Sequence, residues 1–176
     1  ERGIVLDDSL SMGSGGKEEV PIERLSIVLE KGINAILNNN DQDLITIVRT
    51  TDPNRFNPNA AVLNEDSISN LLNGFKEIKA SDQRGDLISA LNHVNDSFNS
   101  KEVNFNKVVY LMTDLRLKDW ESINSTDMGQ GVPDLIKKIS EKSAGFYIVD
   151  LGSGNERNLS IESVAPLDKA LVNEVP

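Results

Sequence analysis

Four apolar runs of strand type, separated by stretches whose apolar residues recur at helical spacing, leave this chain few architectures. The runs are Gly3 to Leu6, Asp43 to Thr50 around Leu44-Ile45-Thr46-Ile47-Val48, Lys107 to Thr113 around Val108-Val109-Tyr110-Leu111-Met112, and Gly145 to Leu151. Between them, Ile22, Leu25, Leu29, Ile33 and Ile36 form one helical stripe, with Pro21 suited to its first turn. Leu87, Leu91, Val94 and Phe98 form a second stripe, and Leu135, Ile136 and Ile139 mark a helix over 133–143. A further helix is predicted over 65–76 from Ile68, Leu71, Leu72 and Phe75, and a short edge strand at Ala60 to Leu63. Alternation of this kind predicts an α/β fold: a doubly wound, mostly parallel central sheet with helices on both faces. Residues 1–158 read as one domain. The tail 159–176 changes to the alternating Leu159-Ser160-Ile161-Glu162-Ser163-Val164, an edge strand or the start of a following domain.

Composition removes several classes of function. The net charge of −10 argues against nucleic-acid binding, which needs a basic stripe. The absence of cysteine excludes disulfides, thiolate metal sites and cysteine nucleophiles. No apolar run approaches the roughly 20 residues that span a bilayer, and no signal peptide is visible. Only Glu1, Arg2 and Gly3 lie ahead of the core of the first strand, which predicts a domain taken from a longer protein.

The chemistry gathers where strands end. Ile4-Val5-Leu6 stops at Asp7-Asp8, and Ser9 and Ser11 follow at alternate positions, giving Asp-x-Ser-x-Ser at a strand's carboxyl end. Open α/β sheets take their ligands there. The third core run ends at Asp114 and the fourth at Asp150. Neighbouring strands lie about 4.8 Å apart, and carboxylates held that close repel unless a cation stands between them. Hard oxygens suit Mg²⁺, or Mn²⁺ or Ca²⁺, rather than zinc. The competing role for each aspartate is to cap a loop or the following helix.

This constellation resembles the von Willebrand factor A domain, of the type found in bacterial membrane-anchored BatA-like proteins. The resemblance covers roughly residues 3–165. Asp7, Ser9 and Ser11 match the first element of that family's metal-ion-dependent adhesion site. Val108 to Asp114 looks like its later strand and aspartate, and Leu87-Ile88-Ser89-Ala90-Leu91 resembles the helix after its threonine. The resemblance implies a non-enzymatic module that binds another protein. Asp7, Ser9, Ser11 and Asp114 would hold the ion, and a partner's acidic side chain would complete its shell. Asp8 would shape the loop, and loops 12–20, 51–60, 80–86 and 115–131 would set specificity. It further implies an extracytoplasmic domain of a bacterial, membrane-tethered parent. One departure stands out: where the family has Gly-Gly-Thr, this chain reads Gln83-Arg84-Gly85-Asp86, and Gly85 has no side-chain oxygen. Ser81, Asp86 or a water are the candidate substitutes, Asp86 competing with a role as helix N-cap. A degenerate, metal-free scaffold binding through its loops is the alternative.

Leu6-Asp7-Asp8-Ser9-Leu10-Ser11-Met12 also looks like the opening of a response-regulator receiver, with Mg²⁺ at the acidic pair. Asp52 would be its phosphoacceptor and Thr113 its later hydroxyl. The lysine such a domain needs is absent, Tyr147-Ile148-Val149-Asp150 standing in its place. Gly13-Ser14-Gly15-Gly16-Lys17 lacks the spacing of a phosphate loop. Arg84-Gly85-Asp86 reads as the start of a helix, and His93 as a surface or boundary residue.

Overall fold

The computed structural model describes residues 1–14, 20–37, 44–53, 61–62, 70, 73–99, 106–116, 120 and 131–152. Along the chain come β1 (Arg2–Leu6), a 3-10 turn (Leu10–Gly13), α1 (Pro21–Leu37), β2 (Leu44–Arg49), β3 (Ala61–Val62), α2 (Leu87–Asn99), β4 (Val108–Thr113), α3 (Val132–Ser140) and β5 (Gly145–Asp150). The strands form one sheet in the order β3-β2-β1-β4-β5. Every pairing is parallel except the short β3, which runs antiparallel to β2 at the edge. The predicted doubly wound α/β architecture and the predicted edge strand are both present.

Side-chain alternation along the strands explains the layers. In β1, Ile4 and Leu6 join Ile22, Leu25, Leu29 and Ile33 of α1 in one buried cluster. Val5 points the other way, into a second cluster with Leu87, Leu91, Val94 and Phe98 of α2 and Leu135 and Ile139 of α3. β4 repeats the pattern, Met112 on the α1 side and Val109 and Leu111 on the other. Each fully buried aliphatic side chain contributes about 1.5–3 kcal/mol, so β1, buried on both faces, anchors the fold. Gly3 is required by close approach: a β-carbon there would stand 2.7 Å from Val94 Cγ1. α3 begins after Gly131 with Pro133 in its first turn, and Asp134 and Lys137–Lys138 complement the helix dipole at its two ends.

β5 departs from expectation. It reads as a core strand in sequence, yet it closes the described sheet at its edge, with Tyr147 and Ile148 54% and 46% exposed. Tyr147 is instead stacked on Tyr110 of β4, with ring centroids 5.4 Å apart. Of the helix expected over 65–76, residues 70 and 73–76 are described and are helical. The expected C-terminal unit, 159–176, lies outside the described residues. No described helix is long and apolar enough to cross a membrane.

Candidate metal centre

In this strand order the chain leaves β1 toward β2 on one side, and β4 fills the other. The crevice at the carboxyl ends of β1 and β4 is therefore the topological switch point, where open α/β sheets bind ligands. Asp7 follows β1 and Asp114 follows β4, so two sequence-predicted residues flank that crevice.

Register decides what surrounds Asp7. Leu6 pairs with Arg49 of β2 and with Met112 of β4. The ladder continues one step further, through Thr50 N–H to Leu6 O and Asp7 N–H to Met112 O, both 2.9 Å. Thr50, Asp7 and Thr113 thus stand in one row across three strand ends. Thr113 Oγ1 donates to Asp7 Oδ2 at 2.8 Å, and Thr50 Oγ1 donates to Asp7 Oδ1 at 3.3 Å. The Ser9 backbone N–H donates to Asp7 Oδ1 at 3.1 Å, folding the following loop back over the carboxylate. Ser9 Oγ and Ser11 Oγ lie 3.0 Å apart and are hydrogen-bonded to each other. Asp7, Ser9 and Ser11 are buried, and the Asp114 side chain is only 4% exposed.

Asp8 has a different task. Its carboxylate is ion-paired with the Arg49 guanidinium, Nε lying at 2.7 Å. It also accepts hydrogen bonds from Thr51 N–H at 3.0 Å, Thr51 Oγ1 at 2.5 Å and Thr50 Oγ1 at 3.3 Å. With its oxygens committed to these donors, Asp8 locks the loop to the end of β2. The acids left at the crevice are Asp7 and Asp114, the latter ion-paired with Arg116.

Asp86 is held by α2 and is exposed. Its Oδ1 accepts from Ser89 N–H at 2.9 Å and its Oδ2 from Ser89 Oγ at 2.7 Å, the geometry of a helix N-cap. Of the two roles open to it in sequence, the structure displays the cap. Asp150 is also exposed and accepts from Gly152 N–H at 2.9 Å, a loop-capping bond. Asp52 follows β2, is exposed, and lines a separate cavity with Arg49, Thr51 and Lys79. That is not the end of a third parallel strand, where a receiver carries its acceptor.

Gly85 has a steric reason. A β-carbon there would lie 2.7 Å from Thr50 Oγ1, 3.1 Å from Thr50 Cβ and 3.4 Å from Ser9 Cβ. Thr50 is β-branched, stiff about χ1 and held by the hydrogen bonds to Asp7 and Asp8, so it does not yield. Gly85→Ala is expected to cost about 1–3 kcal/mol by overpacking. Thr50→Ala in the same background should recover much of that loss, read by chemical denaturation. If Gly85→Ala unfolds at the wild-type denaturant concentration, the contact is not a constraint.

Among the described residues, no group of three or more carboxylate, imidazole or thiol side chains converges. The donor set is two carboxylates plus hydroxyls, all hard oxygen, without nitrogen or sulfur. That chemistry fits Mg²⁺, Mn²⁺ or Ca²⁺ better than zinc. Sequence reasoning missed Thr50 and assigned Thr113 only a receiver's role. Both are recognisable once the strands are in register.

No protein-family model matches the sequence, and no curated protein is similar to it. Solved structures are similar in fold. The crystal structure of the conserved hypothetical protein BatB from Bacteroides thetaiotaomicron superposes with a TM-score of 0.52 at 17% identity, over 84% of this chain and 63% of that one. A von Willebrand factor type A structure from Catenulispora acidiphila gives 0.52 at 16% identity, over 84% of this chain and 38% of that one. The chain thus spans less than two thirds of either protein. It has the von Willebrand factor A fold.

Proposed function

We propose that this von Willebrand factor A-type domain is a non-enzymatic protein-binding module built around a divalent cation. Asp7, Ser9, Ser11 and Asp114 would hold the ion, Mg²⁺ or alternatively Mn²⁺ or Ca²⁺. The bound ion supplies an electrophilic point that a partner's carboxylate can complete. The chain's own residues do the rest. Thr50 and Thr113 orient the Asp7 carboxylate, the Ser9 N–H fixes the loop, and the Arg49–Asp8 pair holds the second acidic side chain.

The observation that carries this reading is the Asp7 carboxylate, buried at the switch point with a threonine hydroxyl on each side and the Ser9 N–H above it. The likeness in fold to bacterial proteins supports a bacterial source. We extend this to an extracytoplasmic domain of a membrane-tethered parent.

Calorimetric titration of the protein with Mg²⁺, Mn²⁺ and Ca²⁺ tests the proposal. One site per chain with a dissociation constant in the millimolar range or below is the expected result. Absence of uptake at millimolar concentration sinks the metal reading and leaves a scaffold that binds through its loops.

A further inference from the structure

Arg116 follows Asp114 by two residues, and its Nε lies 3.4 Å from Asp114 Oδ2. The residue between them, Leu115, has φ of +55°, a left-handed conformation that a non-glycine residue adopts at a cost of about 1–2 kcal/mol. That reversal accompanies the return of Arg116 to the acid just passed. The two partners differ in exposure: the Arg116 side chain is 40% exposed and Asp114 only 4%. A buried carboxylate at the crevice is thus capped from the solvent side by a cation that has room to move.

The same guanidinium lines a cleft of about 260 Å³, together with Ser9, Leu10, Ser11, Asp82, Gln83 and Arg84. Arg84 and Arg116 thus line one cleft beside Asp82, two guanidinium groups brought together on a chain whose net charge is −10. The wall carrying Arg84 is fastened by backbone bonds: Ser81 N–H to Asp8 O at 2.8 Å, Leu10 N–H to Gln83 O at 3.2 Å, and Asp86 N–H to Thr50 O at 2.8 Å. The guanidinium fork matches a carboxylate in a bidentate, directional manner. Ser9 and Ser11 line the same space.

We propose that Arg116 is an exchangeable counter-ion: it neutralises Asp114 until a divalent cation takes that carboxylate, and then joins Arg84 in holding a carboxylate side chain of the partner. This rests on the metal-binding reading above and adds regulation and partner chemistry to it. A guanidinium and a divalent ion compete for Asp114, so Arg116 weakens metal binding alone. Once displaced it favours an acidic ligand, so metal and ligand bind with positive coupling, which linkage makes reciprocal.

The test uses Mn²⁺ and a short blocked peptide carrying a single glutamate, with Arg116→Gln and Arg116→Lys beside the wild type. Arg116→Gln should bind Mn²⁺ about three- to tenfold more tightly, the size expected when one partly exposed competing charge is removed. At saturating Mn²⁺ it should bind the peptide about tenfold more weakly, through loss of a charge-assisted fork. Arg116→Lys should keep wild-type metal affinity and still lose peptide affinity. These opposite movements in one variant are what a merely structural arginine does not produce, and thermal unfolding checks that both variants fold. Wild-type uptake of Mn²⁺ with both affinities unchanged in Arg116→Gln overturns this proposal alone. No uptake of Mn²⁺ by the wild type overturns it together with the metal reading.

Discussion

Arg49→Met is expected to destabilise the domain by about 3–5 kcal/mol, before any metal is added. Asp8 is fully buried, and Arg49 supplies its compensating charge. Removing the guanidinium leaves a carboxylate in a low-dielectric interior with only the Thr50 and Thr51 donors. The matching double variant, Arg49→Met with Asp8→Asn, should lose much less than the sum of the single changes. The interior no longer holds an uncompensated charge, and the amide oxygen still accepts from Thr51 N–H. A urea-denaturation cycle over the four proteins reads the coupling directly. Additive losses would mean that the ion pair is not what holds the first loop to β2.

Asp7→Asn separates metal binding from folding. Its effect on Mn²⁺ affinity should be a loss of at least about 100-fold, beyond the 10- to 100-fold expected for an outer-sphere partner. Stability of the metal-free variant should stay within about 1 kcal/mol of wild type, since the amide retains one acceptor oxygen and the threonine hydroxyls can turn to meet its NH₂. Thermal unfolding with and without cation provides the readout. At a concentration 100 times its dissociation constant, a native-state ligand stabilises by about 2.7 kcal/mol, which the wild type should show and Asp7→Asn should not. Equal stabilisation of both proteins by Mn²⁺ would remove Asp7 from the metal site.

What was legible in the sequence was local. Asp7, Ser9 and Ser11 lie within five positions of a strand end, so their proximity needs no knowledge of the fold. The helical stripes of α1 and α2 follow from period alone, and the core clusters contain Ile22, Leu25, Leu29 and Ile33 of the first and Leu87, Leu91, Val94 and Phe98 of the second. What escaped depends on contacts between distant segments. Thr50 and Thr113 meet Asp7 only through the pairing of β1 with β2 and β4, 43 and 106 residues away in sequence. Arg49 reaches Asp8 for the same reason. β5 misled because Tyr147-Ile148-Val149 has the composition of a buried strand, and position in a sheet is not a property of composition. Asp86 was ambiguous because an N-cap and a ligand both call for a short acid ahead of an apolar run. The turn of Arg116 back to Asp114 requires a left-handed leucine, which local propensity disfavours.

The row Thr50–Asp7–Thr113 belongs to the sheet and not to the loops above it. Insertions beyond Ser11, Thr51 or Asp114 can change length and composition without shifting that row, because each of its members is fixed by the last rungs of a parallel ladder. A slip of one residue in β2 or β4 would instead turn a threonine away from the acid and put Arg49 or Thr51, or Met112 or Asp114, at its register position. If the domain binds a partner as proposed, change in what it recognises is cheap beyond the strand ends and closed off in the strands. A designer seeking a new partner should graft beyond Thr51 and beyond Arg116 and leave the described strands untouched.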